Sequence, residues 1–147
     1  MHPASPVIGY ACGVFDMFHI GHLNLLQRAR ANCDHLIVGV TSDALAAQRK
    51  GQRPVASEAE RMAIIAALRC VDEVVAQTDM DKFRAWERLG YHRLFVGDDW
   101  QGHPDWVALE AQLAQVGAQI MYFPYTKAVS STQLRAYLDR VEAAPLL

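Results

Sequence analysis

Short apolar runs alternate with longer segments of helical periodicity along this chain, and turn residues lie at the junctions. The runs of strand length are residues 7–12, 35–41, 73–76, 93–97 and 119–123. Strands that alternate with helices form βαβ units, and such units build a parallel sheet. The sequence therefore predicts an α/β fold around a parallel five-stranded sheet.

Helix-start and helix-stop residues place the helices between the strands. Ser57 and Glu60 form the capping-box pattern of a helix that runs to residue 68. Segments 79–89 and 104–116 are each followed by a glycine, Gly90 or Gly117, that can end a helix. The hydroxyl run at residues 130–132 precedes the apolar positions of a last helix.

Composition limits the number of domains and the classes of partner. With 147 residues, 52% of them hydrophobic, the chain can bury one core, so residues 1–147 are predicted to form a single domain. A formal net charge of -2 with dispersed lysines and arginines argues against a nucleic-acid partner. No apolar run is long enough to span a bilayer, no basic leader is evident, and the three cysteines are widely spaced. We therefore expect a cytoplasmic protein with reduced, mostly buried thiols and no membrane partner.

The segment Gly13-Val14-Phe15-Asp16-Met17-Phe18-His19-Ile20-Gly21-His22 follows the first predicted strand and opens the first helix. In a parallel sheet, that junction lies at the carboxyl edge, where ligands of open α/β folds bind. Free amides and the helix dipole attract phosphate there, and glycines at positions 13 and 21 leave room for it. The sequence therefore predicts a phosphate site at this junction.

His19 and His22 are the candidate catalytic residues of that segment. Both imidazoles can donate to phosphate oxygens and stabilise the charge that builds up around an α-phosphorus under in-line attack. Two alternatives remain: the histidines are ordinary helix-start residues, or they belong to a metal site. A metal site would need more ligands than Asp16 and Cys12, the only other candidates close in sequence.

The pattern Gly-x-Phe-Asp-x-x-His-x-Gly-His resembles the signature of the cytidylyltransferase-like nucleotidyltransferases. The segments Gly97-Asp98-Asp99-Trp100 and Val129-Ser130-Ser131-Thr132 resemble glycerol-3-phosphate cytidylyltransferases in particular. The resemblance implies a Rossmann-like domain with helices on both faces of the sheet. It also implies transfer of CMP from CTP to a small phosphorylated alcohol, such as glycerol 3-phosphate, with release of pyrophosphate. A magnesium ion carried with the nucleotide, a homodimer and a role in making cell-surface polymer or lipid precursors are further implications.

The resemblance also assigns roles to residues along the chain. The catalytic set is His19, His22 and Lys50, and Asp16 organises the loop rather than acting as a base. The nucleotide-binding set is Gly13, Val14, Phe15, Asp16, His19, Gly21, His22, Arg53, Asp98, Tyr125, Thr126, Ser130, Ser131 and Thr132. The substrate-binding set is Lys50, Arg61, Lys82 and Arg84.

Each assignment beyond the histidines has a structural alternative. The segment from residue 49 to residue 54 is expected to be a mobile basic loop that closes over phosphates, but it can also be a solvated charge run. Arg61 can pair with Glu58 or Asp72, and Lys82 and Arg84 can be exposed helix charges. Asp98 can close an Asx turn, and Trp100 is expected to pack in the core.

One departure leaves the nucleotide open. Glycerol-3-phosphate enzymes usually carry Arg-Thr-Glu-Gly where this chain has Tyr125-Thr126-Lys127-Ala128. Tyrosine lacks the charge and fork geometry of arginine, so nucleotide identity is in doubt. An adenylyltransferase that uses ATP on a sugar phosphate is the alternative, because residues 50–54 resemble that branch too and it also lacks the arginine. A non-catalytic nucleotide-binding module is a third, although the intact histidines and hydroxyls argue against it.

Overall fold

The computed structural model describes residues 5–124 and 131–143. Tyr125, Thr126 and Ser130, which are predicted to bind nucleotide, lie outside the described residues.

In the part of the chain that the structure describes, five strands form one parallel sheet in the order β3-β2-β1-β4-β5. Their bounds are β1 Ile8–Gly13, β2 His35–Thr41, β3 Glu73–Gln77, β4 Arg93–Gly97 and β5 Gln119–Phe123. The predicted strands are confirmed, with shifts of one residue at both ends of β1 and at the end of β3. The chain moves outward from β1 to β3 and then crosses back to β4 on the other side of β1. The carboxyl ends of β1 and β4 therefore flank the point where strand order reverses, which is where open α/β sheets bind ligands.

Within the described residues, six α-helices connect and follow these strands. Their bounds are α1 Ile20–Ala31, α2 Asp43–Lys50, α3 Glu58–Ala66, α4 Lys82–Leu89, α5 Pro104–Ala114 and α6 Ser131–Ala143. Ser57 caps α3 as predicted, because its hydroxyl accepts from the Glu60 amide at 3.2 Å. Helix α4 begins three residues later than predicted because Asp81 caps it, accepting from the amides of residues 83 and 84.

Helix α2 is not among the predicted helices, which changes the expected basic loop. Ser42 caps its start by accepting from the Leu45 amide at 3.1 Å, and Gly51 ends it in the left-handed region with φ of 78°. Arg49 and Lys50 therefore form the last helical turn. The expectation of a loop from residue 49 onward is wrong for these two residues, and the non-helical part begins at Gly51.

Helices pack on both faces of the sheet. On one face, Leu26 and Ala29 of α1 and Ile65 of α3 are buried against the sheet. On the other face, Ala85 of α4 and Leu113 of α5 are buried. The predicted α/β architecture with helices on both faces is thus confirmed. Within residues 5–124 and 131–143, no helix combines the length and the apolar character needed to cross a bilayer. The three cysteines are free thiols, each partly rather than fully buried.

Candidate active site

Among the described residues, three adjoining cavities lie along the carboxyl edge of the sheet. The histidine cavity, about 420 Å³, is lined by His19, His22, Asp99 and Ser131. The basic cavity, about 270 Å³, is lined by Lys50, Arg53 and Arg135. The tryptophan cavity, about 710 Å³, is lined by Lys82, Trp100 and Trp106. Val14 lines all three, and the last residue of each strand lines at least one: Gly13, Thr41, Gln77, Gly97 and Phe123.

His19 and His22 cap the start of α1 reciprocally. Nδ1 of His19 accepts from the Gly21 amide at 3.0 Å, and Nδ1 of His22 accepts from the His19 amide at 3.3 Å. The two rings are stacked with centroids 3.8 Å apart. A backbone N–H can only donate, so each Nδ1 carries no proton and each neutral ring holds its proton on Nε2. The cap therefore fixes the tautomer of both imidazoles and leaves two Nε2–H groups as donors.

Burial makes both imidazoles harder to protonate. It lowers the pKa of His19, and it lowers the pKa of His22 to about 4, an effect to which the neighbouring His19 adds and which Asp16 opposes. At neutral pH, the pair is uncharged before any ligand enters. The site therefore offers phosphate two oriented neutral donors rather than two free positive charges.

The His22 pKa predicts a pH dependence of stability. An unfolded histidine titrates near 6.5 and the folded one near 4, so acid favours the unfolded chain, which binds the proton first. The stabilising contribution is complete above pH 6.5 and is lost as the pH falls toward 4. The ring is partly exposed, so the effect is smaller than the full pKa shift would give. As the pH falls through this window, we expect the free energy of unfolding of the native protein to decrease by up to about 1 kcal/mol more per pH unit than that of His22→Asn. Urea unfolding of both proteins between pH 7 and pH 4.5 measures this, and equal slopes would contradict it.

Asp16 holds together three segments around the basic cavity. It is 7% exposed, and its carboxylate accepts from the amides of Val55 at 2.8 Å and Ala56 at 3.0 Å. Arg135 Nη2 lies 3.6 Å from the same carboxylate, and the Asp16 carbonyl accepts from the Ser131 hydroxyl at 2.6 Å. These contacts join the β1–α1 loop, the segment before α3 and the start of α6. They are the contacts of a loop-organising acceptor.

The residues on either side of Asp16 have strained backbones. Phe15 and Met17 have φ of 54° and 49°, in the left-handed region that side chains with a Cβ disfavour. Phe15 packs edge-on against the ring of His22, with centroids 5.4 Å apart. Backbone strain of this kind persists where surrounding contacts over-determine the conformation, as they do in many ligand sites.

Arg135 is a site residue that sequence reasoning missed. It lines the basic cavity with Lys50 and Arg53, and its guanidinium donates to the Arg53 carbonyl at 3.0 Å. The sequence contains one signal that Arg135 shares a site with the hydroxyl residues. Arg135 lies three residues after Thr132 and four after Ser131, and this spacing puts all three on one face of α6. Lys50 also lines the tryptophan cavity, so this one cation reaches both spaces.

The remaining predicted nucleotide residues of the first motif and of α6 line these cavities. Gly13, Val14, Phe15 and Gly21 line the histidine cavity, where a Cβ on Gly13 would meet the Phe15 ring at 3.3 Å. Ser131 lines the histidine and basic cavities, and Thr132 lines the basic cavity. The starts of α1 and α6 thus face the same space from two directions.

A comparison with known protein families matches the part of the chain that forms these cavities. A family profile described as "Cytidylyltransferase-like" matches residues 10–137, which span the three cavities. The chain belongs to the cytidylyltransferase-like family.

Individual relatives give a more detailed comparison. The bifunctional protein HldE of Halorhodospira halophila is 38% identical over 125 residues, which cover 84% of this chain and 26% of that protein. This chain thus spans about a quarter of the length of that HldE protein. The FAD synthase of Thermococcus sibiricus is 32% identical over 114 residues, 77% of each chain. A crystal structure of the lipopolysaccharide core biosynthesis protein from Thermoplasma volcanium has a TM-score of 0.69 at 25% identity and covers 85% of this chain and 100% of that one.

Arg61 has a structural position in this cytidylyltransferase-like chain. Its side chain has no exposed surface, and its guanidinium donates to the carbonyls of Val14 at 2.8 Å, Thr41 at 2.6 Å and Ala56 at 3.0 Å. Its ion-pair partner is Asp43 at 2.6 Å, not Glu58 or Asp72, and the guanidinium holds the pKa of the Asp43 carboxyl below its usual value. The substrate-binding prediction for Arg61 is therefore corrected, because its donors point into the protein and support the loop after β1.

The structure separates Lys82 from Arg84. Lys82 is 8% exposed and lines the tryptophan cavity. Arg84 lies on the exposed side of α4, lines none of the three cavities and sits 3.8 Å from Asp81. Of these two residues, Lys82 alone lines a cavity. Arg84 matches the exposed-charge alternative.

The turn after β4 also differs from expectation. Asp98 is exposed and lines none of the three cavities, whereas Asp99 lines the histidine cavity. Trp100 was expected in the core, yet it is 46% exposed and stacks on Trp106 with ring centroids 6.1 Å apart. The core prediction for Trp100 is wrong because the short helical turn Asp98–Trp100 extends beyond the sheet edge.

Proposed function

We propose that this chain transfers the nucleotidyl group of ATP to the phosphate of a small phosphorylated alcohol or sugar and releases pyrophosphate. The observation that carries the proposal is the reciprocal cap, which holds two imidazole Nε2–H donors at a cavity that Ser131 also lines. Such preorganised donors are what an α-phosphoryl group needs while charge accumulates on its oxygens.

In this mechanism, each cavity holds one part of the reaction. The β- and γ-phosphates lie in the basic cavity near Lys50, Arg53 and Arg135, and the α-phosphoryl group lies beside the two histidines. An oxygen of the acceptor phosphate attacks the α-phosphorus, the bond from that phosphorus to the β-bridging oxygen breaks, and pyrophosphate leaves with the electron pair. The attacking oxygen is already ionised at neutral pH, so no side chain needs to remove a proton.

Support for ATP comes from the FAD synthase relative. FAD contains an adenylyl group joined through a pyrophosphate, and that relative matches 77% of each chain. The expectation of CTP rested on Gly97-Asp98-Asp99-Trp100, where Asp98 is exposed and lines none of the three cavities. CTP with glycerol 3-phosphate remains the second candidate because Gly97 and Asp99 of that segment line the histidine cavity.

Pyrophosphate release with each nucleotide tests the proposal. The purified protein is incubated with ATP or CTP, magnesium and a panel of phosphorylated sugars and polyols. We expect kcat/KM for ATP to exceed that for CTP at least tenfold. The reverse ratio would assign the enzyme to CTP, and nucleotide binding without pyrophosphate from any acceptor would favour the non-catalytic module.

Magnesium belongs to the substrate in this proposal. Across residues 5–124 and 131–143, no group of three or more histidine, cysteine, aspartate or glutamate side chains is placed to hold a metal ion. The ion would enter on the triphosphate, whose charge it partly neutralises before a second phosphate approaches. We expect a chelator in excess over magnesium to stop turnover without changing the melting temperature of the nucleotide-free protein.

A further inference from the structure

The reciprocal cap at the start of α1 occupies the ring nitrogens that an added proton would need. His19 and His22 each accept a backbone N–H at Nδ1, and each neutral ring already holds its own proton on Nε2. We infer that the cap is an acid-sensitive switch on the phosphate site, because a proton that enters either ring displaces a backbone amide and opens the start of α1. The switch is a property of the nucleotide-free protein, and its effect on turnover rests on the proposed transfer.

Protonation of a ring brings two donors face to face. An imidazolium has an N–H on both nitrogens and no lone pair left to accept a hydrogen bond. Nδ1 of His19 lies 3.0 Å from the Gly21 amide nitrogen, and Nδ1 of His22 lies 3.3 Å from the His19 amide nitrogen. Two N–H groups that point at each other over such distances repel, so the ring and the amide must separate. A ring can therefore be protonated or cap the helix, but it cannot do both.

The start of α1 has no second group that could take over the cap. Its first turn contains no acidic residue. The positive end of the helix dipole also opposes a cation at this position. An amide that loses its capping partner turns to water, and the first helical turn frays. Because the cap also sets the direction of both Nε2–H groups, its loss removes the oriented donors of the phosphate site.

The charges around the pair give an added proton little support. Asp16 is the carboxylate that raises the His22 pKa, but it already accepts from two backbone amides and lies 3.6 Å from Arg135. Among the described residues, neither ring forms an ion pair with a carboxylate. The charged and titratable groups that line the histidine and basic cavities beside the pair are Cys12 on β1, Asp16 on the β1–α1 loop, Arg28 on α1, Lys50 on α2, Arg53 after α2, Asp99 after β4 and Arg135 on α6. Cations outnumber carboxylates in this set, so the surroundings favour the neutral, capped form.

The stacked geometry admits one proton more readily than two. The ring centroids are 3.8 Å apart, so a first positive charge disfavours a second one. Burial lowers the pKa of His19 below its ordinary 6.5 and the pKa of His22 to about 4. The cap is therefore closed at neutral pH and opens as the pH falls from 6.5 toward 4.

Nitrogen-15 NMR of the nucleotide-free protein, titrated from about pH 7 to about pH 3.5, tests the switch directly. The ring nitrogens report protonation, and the backbone amides of His19 and Gly21 report the cap. We expect each amide to change with the same midpoint as the ring that caps it, and its exchange with solvent, corrected for the intrinsic effect of pH, to rise at least about tenfold. A ring that gains a proton while its amide stays unchanged would overturn the switch, as would a pair that stays neutral throughout. Loss of all protected core amides at the same midpoint would also overturn it, because acid would then open the whole fold.

A variant with a cap that does not titrate shows which ring controls which amide. The carbonyl of His22→Asn can accept from the His19 amide at any pH in this range, so that amide should no longer titrate, whereas the Gly21 amide should still follow the His19 ring. His35→Asn is the matched control, because the His35 ring is exposed at the amino end of β2 and caps no helix. Both amides should titrate there as in the native protein. A His19 amide that keeps its titration in His22→Asn would show that another group opens the cap.

Calorimetry of ATP binding with magnesium shows whether the phosphate site uses the neutral pair. At neutral pH, two buffers with different ionisation enthalpies give the number of protons taken up, and we expect less than about 0.1 proton per site. Uptake of about one proton would mean that the nucleotide binds an imidazolium, and the switch would be wrong. Below the midpoint of the amide titration, the affinity for ATP should fall about tenfold per pH unit. An unchanged affinity there would reject control by the cap.

These measurements separate failure of the switch from failure of the proposed function. ATP that binds without proton uptake, loses affinity in acid and yet gives no pyrophosphate with any acceptor would retain the switch and reject the transfer. Pyrophosphate release from a protein whose His19 and Gly21 amides do not follow the rings would retain the transfer and reject the switch.

Discussion

A His22→Asn variant should transfer nucleotide about 10²–10³-fold more slowly than the native protein, the usual effect of removing one oriented donor to a developing oxyanion. Asparagine places a carbonyl oxygen close to the position of Nδ1, so it can still accept from the His19 amide and cap α1. It places nothing at the position of Nε2. Steady-state pyrophosphate release, with the melting temperature measured alongside, gives both quantities.

His22→Gln is the matched control, because its amide reaches the position of Nε2 and leaves that of Nδ1 empty. We expect its transfer rate to fall by less than about tenfold. Its free energy of unfolding should fall by about 1 kcal/mol because the helix cap is missing. The order of the two variants decides what His22 does. A His22→Asn protein that stays active beside an inactive His22→Gln protein would show that the ring serves only to cap the helix.

The strands and the location of the site follow from local patterns. Strands buried on both faces read as continuous apolar runs, as in residues 35–41, and that signal does not depend on distant contacts. The position of the histidine pair at the end of β1 predicts a phosphate site. Its reciprocal cap was also readable, since His-x-x-His has the spacing of a Ser-x-x-Glu capping box.

Helix α2 was predictable in principle and was still missed. Ser42 before Asp43 is a helix-start signal, and Gly51 is a helix-stop signal. The basic residues Arg49 and Lys50 also fit a loop, because cations that close over phosphates are often mobile. They also suit the last turn of a helix, where the dipole favours positive charge.

The errors at Trp100 and Arg61 have a different cause. Whether Trp100 enters the core depends on where the turn after β4 lies relative to the sheet edge, which no local pattern encodes. The Arg61 guanidinium bonds to carbonyls 47 and 20 residues away in sequence, as well as to one nearby. An arginine on a helix therefore gives no local sign that it is buried.

The position of Arg61 makes its replacement a large expected loss of stability. Its guanidinium satisfies carbonyl groups of the β1–α1 loop, the end of β2 and the segment before α3, and it neutralises Asp43. Replacement by methionine fills a similar volume but leaves those carbonyls and the carboxylate without their donor. Each buried carbonyl that loses its donor costs about 1–3 kcal/mol, whereas the Asp43 carboxylate, whose side chain is 30% exposed, can still be hydrated. The summed loss is about 3–5 kcal/mol, against a total stability of about 5–15 kcal/mol for a typical domain.

We therefore expect Arg61→Met to lower the free energy of unfolding by about 3–5 kcal/mol in urea, with exposed Arg69→Met within about 0.5 kcal/mol of the native protein. Arg61→Lys keeps the positive charge but lacks the planar guanidinium that reaches several acceptors at once. Its loss of stability should therefore lie between those of Arg61→Met and Arg69→Met. Where Arg61→Lys remains folded, its KM for the acceptor phosphate should stay within twofold of the native value, because the side chain faces the β1–α1 loop and not the substrate. An Arg61→Met protein of native stability with a tenfold higher acceptor KM would restore Arg61 to the substrate-binding set and remove it from the scaffold of the loop.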